Sequence, residues 1–182
     1  LLYKLSGNDD ILVGTPTAGR HIPDTEELIG FFVNTLVMRS NLSGNKTFMQ
    51  LLSEVRADAL QSYEHQDIPF EKLVEFLDIE RSTNKNPVFQ VMFDIKNYSS
   101  GEQEVFPGLS VQSIASKIDI AKFDLEFIAH NKSNGNIFIR INYAKDLFDP
   151  SVVAQYGKYY CNLIQMVVKN LNENIGNIKL LQ

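Results

Sequence analysis

The chain has 182 residues, 44% hydrophobic and 21% charged, which suits one domain or one large subdomain whose core buries roughly 70% of the unfolded surface. Its net charge is −5 with lysines and arginines scattered along the chain, which argues against nucleic acid or an anionic membrane as partner. The single cysteine, Cys161, excludes an internal disulfide framework and fits a reducing, cytoplasmic compartment, and no apolar run reaches the length of a membrane span.

In chain order, "LLYKLSGNDD" reads as the last turns of a helix ending at Gly7 in the C′ position, and a chain that opens inside a helix reads as a fragment. "DILVGTPTAGR" starts as a short strand, Ile11 to Val13, and dissolves into a Gly/Thr/Pro loop. "LIGFFVNTLVMRSNL" is β-rich, with Phe32, Asn34, Leu36 and Met38 on one face and Phe31, Val33, Thr35 and Val37 on the other. Apolar residues on both faces predict a strand buried within a sheet, and Asn34 is then polar on an otherwise apolar face.

Thr47 with Gln50 makes a capping-box start, and Phe48, Leu51, Leu52, Val55 and Ala59 follow at helical spacing to about Tyr63. Pro69 and Phe70 open a second helix with Glu71 in its first turn, its buried stripe being Phe70, Leu73, Val74 and Leu77. "NPVFQVMFDIKN" predicts a strand from about Val88 to Ile95. A polar loop from Asn97 to Gly108 leads to "LSVQSI", an edge strand. "KFDLEFIAH" and "NIFIRINYA" alternate and form a hairpin across "NKSNGN". Asp149-Pro150 caps a final helix whose apolar side carries Val152, Val153, Tyr156, Tyr160, Leu163, Ile164 and Val167. The order of two strands, a helix pair, mostly antiparallel strands and a closing helix predicts an α/β sandwich.

The chemistry-bearing candidates are few. No Cys/His cluster has metal-ligand spacing, and no phosphate-cradling glycine motif or GxSxG elbow occurs. Of the three histidines, His21, His65 and His130, the last sits at a hairpin turn and is expected on the surface. His65 and Asp67 raise the question of a catalytic pair, but an i, i+2 spacing at a helix-to-helix corner does not set a carboxylate against the ring unless the corner lines a pocket. The favoured reading is structural: Asp67 caps the second helix and His65 bonds a free carbonyl at the end of the first. Asn34 needs hydrogen-bond partners, since an unpaired buried amide costs roughly 1–3 kcal/mol, and both a bonded core asparagine and a pocket-lining amide satisfy that need. Arg20, after "GTPTAG", has no obvious partner in the chain.

Three segments align with one family. "IGFFVNTLVMR", which contains Gly30 and Arg39, "HQDIPFE", with His65, Gln66, Asp67, Pro69 and Phe70, and "RSTNKNP", with Asn86 and Pro87, resemble in order and spacing the last three core motifs of nonribosomal peptide synthetase condensation domains. "GNDDILVGTPTAGR" resembles the strand and loop preceding them, and "YAKDLFD" the segment before the closing helix, so the resemblance covers essentially all 182 residues.

That resemblance implies a chloramphenicol-acetyltransferase-like α/β fold, a two-layer sandwich, of which residues 1–182 are the C-terminal lobe of a two-lobed condensation domain. It also implies amide-bond formation between a carrier-bound acyl or peptidyl thioester and a downstream aminoacyl thioester. The substrates arrive on phosphopantetheine arms, with no cofactor bound directly and no metal. The implied partners are the N-terminal lobe, upstream and downstream peptidyl carrier domains and an adjacent adenylation domain, in bacterial antibiotic and other secondary-metabolite biosynthesis.

The family's catalytic histidine motif, HHxxxDG, belongs to the other lobe and does not occur here, so no catalytic residue is expected in this chain and the lobe alone should be inactive. Asn34 resembles a position facing the substrate tunnel, and Arg20 resembles the arginine that forms an inter-lobe salt bridge with the aspartate of HHxxxDG. Epimerisation and cyclisation relatives, a silent module that recruits a carrier or partner enzyme, and a stand-alone acyltransferase are the rival readings.

Overall fold

The computed structural model describes residues 1–79, 85–96, 109, 120–131 and 135–180. Local signals hold well. Gly7 adopts a left-handed φ of 75° and donates its N–H to the Tyr3 carbonyl, closing helix α1 (Leu2–Ser6) as its sequence predicts. Helix α2 (Phe48–Glu64) starts from the expected capping box, in which the Thr47 side chain accepts from the Gln50 amide and the Gln50 side chain accepts from the Thr47 amide. Helix α3 (Phe70–Phe76) follows Pro69, with Val74 buried but Leu77 exposed. Helix α4 (Pro150–Lys169) is capped by Asp149, whose carboxylate accepts from the Ser151 amide.

The strands β1 (Asp10–Thr17), β2 (Asn34–Asn41), β3 (Val91–Lys96), β4 (Leu125–Asn131) and β5 (Ile137–Tyr143) form one sheet in the order β2-β1-β3-β4-β5. β1 is longer than the predicted Ile11 to Val13, because the whole stretch to Thr17 pairs antiparallel with β2, from Asp10↔Asn41 to Thr17↔Asn34. The predicted hairpin is the β4–β5 antiparallel pair, Leu125↔Tyr143 to Asn131↔Ile137. The expectation of mostly antiparallel strands fails at the centre, where β3 runs parallel to both β1 and β4. The predicted edge strand "LSVQSI" beyond Leu109, most of "RSTNKNP" and the middle of "NKSNGN" lie outside the described residues.

The reading of "LIGFFVNT" as a buried strand is also corrected. The strand begins only at Asn34, β2 is an edge of the sheet among the described residues, and Ile29 and Phe31 are 104% and 94% exposed. An apolar run with no strand to its outside has the composition of a buried strand without the position.

One face of the sheet carries Ile11, Val13, Met38, Val91, Phe93 and Phe127, and α2 and α4 lie over it. Leu125, Phe127 and Val153 form the buried cluster under α4. Gly14, between Val13 and Thr15, points to the opposite face by strand alternation. There Phe89, only 1% exposed, packs its ring where a Gly14 side chain would be: a Cβ at Gly14 would lie 2.2 Å from a ring carbon.

Candidate functional site

Two of the three motif segments, those of Asn34 and of "HQDIPFE", meet at the corner between α2 and α3. At the first residue of β2, the Asn34 side-chain amide donates to the Gln66 carbonyl at 2.8 Å and to the Ile68 carbonyl at 2.7 Å. Its oxygen accepts from the Thr35 amide at 2.8 Å and the Phe70 amide at 3.1 Å. Both N–H groups and the acceptor oxygen are therefore used, which fills the amide's ordinary capacity. Asn34 pins the backbone of "HQDIPFE" to the start of β2.

Two further ties hold the same corner. Thr17, at the end of β1, donates its hydroxyl to the Gln66 side-chain oxygen at 2.7 Å. His21 Nε2 lies 3.3 Å from an Asp67 carboxylate oxygen. The corner then reaches the core through Phe70, whose ring meets Phe89 edge-on at 5.6 Å, with Phe123 on Phe89 at the same distance. Asn86, in the described end of the third motif, orders the approach to Phe89: its side-chain oxygen accepts from the Val88 amide, and its carbonyl accepts from the Gln90 side chain at 3.1 Å. Pro87, beside it, is partly buried.

Several sequence expectations change here. Asp67 does not cap α3, because Pro69 occupies the cap position without a side-chain bond and Asp67 faces His21 instead. His65 does bond the end of α2, but through its backbone N–H to the Ser62 carbonyl; its ring lines a polar cavity with Asp9, Asp10, Arg39 and Asp58. No His65–Asp67 dyad forms, as the corner reading expected. Arg20 has partners within the chain after all. Its guanidinium donates to the Thr25 and Glu26 carbonyls and lies over the Phe32 ring, 4.2 Å from the centroid. Gly19, with a left-handed φ of 64°, lets this loop lie against the Phe32 carbonyl, where a Cβ would clash at 1.9 Å. Gly30 likewise leaves room for the Phe32 ring, 2.8 Å from where its Cβ would stand.

His130 is not on the surface. It is half-buried on β4, and its Nε2 is shielded from solvent with no hydrogen-bond partner among the described residues.

Arg39 forms a bidentate pair with Asp10 across β1–β2, Nε to Oδ1 at 3.0 Å and Nη2 to Oδ2 at 2.9 Å. The hydrogen bonds from Arg39 hold the Asp10 carboxyl below its ordinary pKa. A folded-state pKa below the unfolded one stabilises the fold above the unfolded value, about 3.9, and that contribution fades as pH falls through the folded value. Asp10→Asn should therefore flatten the acid limb of the stability curve below about pH 4. Both partners are exposed, so the effect is small. An acid limb identical to that of the parent in urea titrations would remove the pair from the account.

Sequence reasoning missed the hub itself. Asn34, Thr17 and His21 reach partners 32 to 49 residues away, and spacing reports only local contacts. The one available signal was a polar Asn34 in an apolar run together with an unexplained "HQD".

The condensation-domain family model matches residues 1–182. A plipastatin synthase polypeptide of Bacillus subtilis (strain 168) is 44% identical over 181 residues, covering 100% of this chain and 7% of that protein. A linear gramicidin synthase polypeptide of Brevibacillus parabrevis is 41% identical over 183 residues, covering 100% of this chain and 2% of that protein. The chain thus spans less than a tenth of either relative's length. Among solved structures, the complex of the X-domain and OxyB from teicoplanin biosynthesis aligns with a TM-score of 0.86 and 24% identity, over 100% of this chain and 40% of that one. At that identity the likeness shows the fold, and it agrees with the expected chloramphenicol-acetyltransferase-like sandwich. The matching family model over the whole chain and relatives such as the plipastatin synthase polypeptide lead to one conclusion: this chain belongs to the condensation domain family of nonribosomal peptide synthetases.

Proposed function

We propose that residues 1–182 form the C-terminal lobe of a condensation domain that joins a carrier-bound acyl or peptidyl thioester to the amine of a carrier-bound aminoacyl thioester. The observation that carries this reading is the joining of two of the family motifs at one corner, next to an apolar surface left uncovered among the described residues. Ile29 and Phe31 project into solvent beside the Asn34 hub, with Leu28, Val33 and Ile68 also more than half exposed. Bare apolar side chains beside a rigid corner fit a surface completed by another lobe.

In this reading the chain shapes and holds one wall of the reaction chamber. Asn34 acts by fixing the corner, since all its bonding positions are taken, so it is a positioning residue. Arg20 stands beside Phe32 with no carboxylate within ion-pair distance among the described residues. That arrangement is open to an aspartate from the other lobe. The proton transfer from amine to leaving thiolate is assigned in this reading to the HHxxxDG lobe. Phosphopantetheine enters as the arm of each substrate. Carrier domains on both sides, an adenylation neighbour and a cytoplasmic setting belong to the same proposal.

A second reading draws on the X-domain neighbour, whose structure was solved in complex with OxyB. In that reading the domain recruits a protein partner and forms no bond.

The test uses the parent domain with both lobes, one donor-loaded and one acceptor-loaded carrier, and intact mass of the acceptor. A mass gain equal to the donor acyl group is expected. No gain, with both carriers still bound, would support the recruiting module instead.

A further inference from the structure

The β4–β5 hairpin ends the sheet, and β5 has no neighbour on its outer side among the described residues. The Ala144 amide donates to the Asp124 carbonyl at 3.0 Å, one step beyond the Leu125↔Tyr143 pair. In an antiparallel ladder the hydrogen-bonded pairs come at every second residue, so Asn142, Arg140 and Phe138 turn their backbone groups towards β4. The N–H and C=O groups of Ile137, Ile139 and Ile141 therefore point outward from the edge. Their side chains share the sheet face that α4 covers.

Helix α4 stands over the same two strands. The Tyr160 ring lies 5.5 Å from that of Phe127 on β4, and Gly157 faces β5, where its Cβ would stand 3.5 Å from the Ile141 Cδ1. On that flank Ala154, Gly157, Cys161, Ile164 and Val168 recur at steps of three and four, the spacing of a helix-packing seam. Cys161 is exposed, Val168 is 69% exposed, and Ile137 on the adjoining strand is 68% exposed. An open strand edge and an apolar helix flank thus run side by side.

Charge and symmetry decide what fits there. A second β5 laid antiparallel with Ile139 opposite Ile139 sets Ile137 against Ile141 on both sides, so the outward groups of all three residues find partners. The same register brings Arg140, which forms no ion pair among the described residues, against the Phe138 ring of the other copy. A register centred on Arg140 would oppose two arginines, and one centred on Phe138 would carry Ile141 past the end of the other strand. Neighbouring strands lie about 4.8 Å apart, so a helix centred over β4 and β5 would stand about 10 Å from its two-fold mate, the spacing of directly packed helices. The short connection from Tyr143 to Pro150 turns α4 back along β5, so Cys161, one turn beyond Gly157, comes level with Ile139 and the two-fold axis.

We propose that the β5 edge and the α4 flank form a self-association surface, on which a second copy of this chain adds its own β5 antiparallel about Ile139 and packs its α4 against the seam from Ala154 to Val168. The proposal goes beyond the condensation reading and does not rest on it.

The test mixes isotopically heavy and light parent domain, treats the mixture with a short bismaleimide and maps the products by mass spectrometry. The expected product is a heavy–light pair joining Cys161 to Cys161, whose yield rises with protein concentration alongside the mass read by sedimentation. Val168→Lys, at an exposed position, should leave the fold intact and weaken the association by about tenfold or more, since each copy loses a buried valine. A mass that stays that of one copy at every concentration would overturn the proposal. So would dimers that Val168→Lys leaves intact, or a Cys161 cross-link only within one copy. Hydrogen exchange gives a second reading without cross-linker or substitution. The amides of Ile137, Ile139 and Ile141 should exchange more slowly as concentration rises, and rates independent of concentration would overturn the proposal even if a dimer forms.

Discussion

Asn34→Ala should lower the stability of this chain by about 2–3 kcal/mol, since four hydrogen bonds are lost and water replaces only some of them. For a chain of this length that corresponds to a fall in Tm of about 5–10 °C. Asn34→Asp should be at least as damaging at neutral pH. It keeps the acceptor for Thr35 and Phe70 but turns a carboxylate oxygen towards the Gln66 and Ile68 carbonyls, where two donors stood. Acidification should partly rescue it, because a protonated carboxyl can donate to one carbonyl. Thermal melts of both variants at pH 7 and near pH 4, each set against the parent at the same pH, check this. A parent-like Tm for Asn34→Ala would show that the hub is decorative, and the tunnel-facing reading of Asn34 would regain its ground.

The second large effect lies at Gly14. Real Cβ atoms do not approach ring carbons as closely as the 2.2 to 2.7 Å required there, and Phe89 is enclosed between the sheet, Phe70 and Phe123. Gly14→Ala must displace that ring, at a cost of about 3 kcal/mol, the upper end for overpacking a filled core. Because Phe70 leans on Phe89, the disturbance should reach the α2–α3 corner. Phe89→Leu should relieve it, so the double variant should be more stable than the two single losses together predict, with a coupling of about 1–2 kcal/mol. Urea unfolding of the two single variants and the double closes the cycle. Strict additivity would mean that the ring and Gly14 do not compete for the same space.

How much of this was legible beforehand depends on the range of the contact. The capping box at Thr47, the Asp149 cap, the Gly7 stop and the β4–β5 hairpin are local, and the sequence shows them. The extent of β1 was not legible, because Thr15, Pro16 and Thr17 look like a loop until β2 pairs with them. Nor was the parallel placement of β3, which depends on crossover connections that no residue pattern encodes. At the site, the motifs could be recognised one by one and their resemblance named. Their physical relation could not, because Asn34 reaches backbone carbonyls, which have no sequence signature. Arg20 shows the same limit: a search for a carboxylate overlooked the Thr25 and Glu26 carbonyls and the Phe32 ring.

The proposed role of this chain as a positioning wall requires that Asn34 work through the corner and not on the substrate. Residue-resolved hydrogen exchange of Asn34→Ala tests it most directly, read at the two amides its side-chain oxygen holds, Thr35 and Phe70. Both should lose protection together, while the β4–β5 pair exchanges as in the parent. If both keep their protection while the parent domain carrying the same substitution loses turnover, Asn34 acts on the substrate directly and the positioning role assigned to it is wrong.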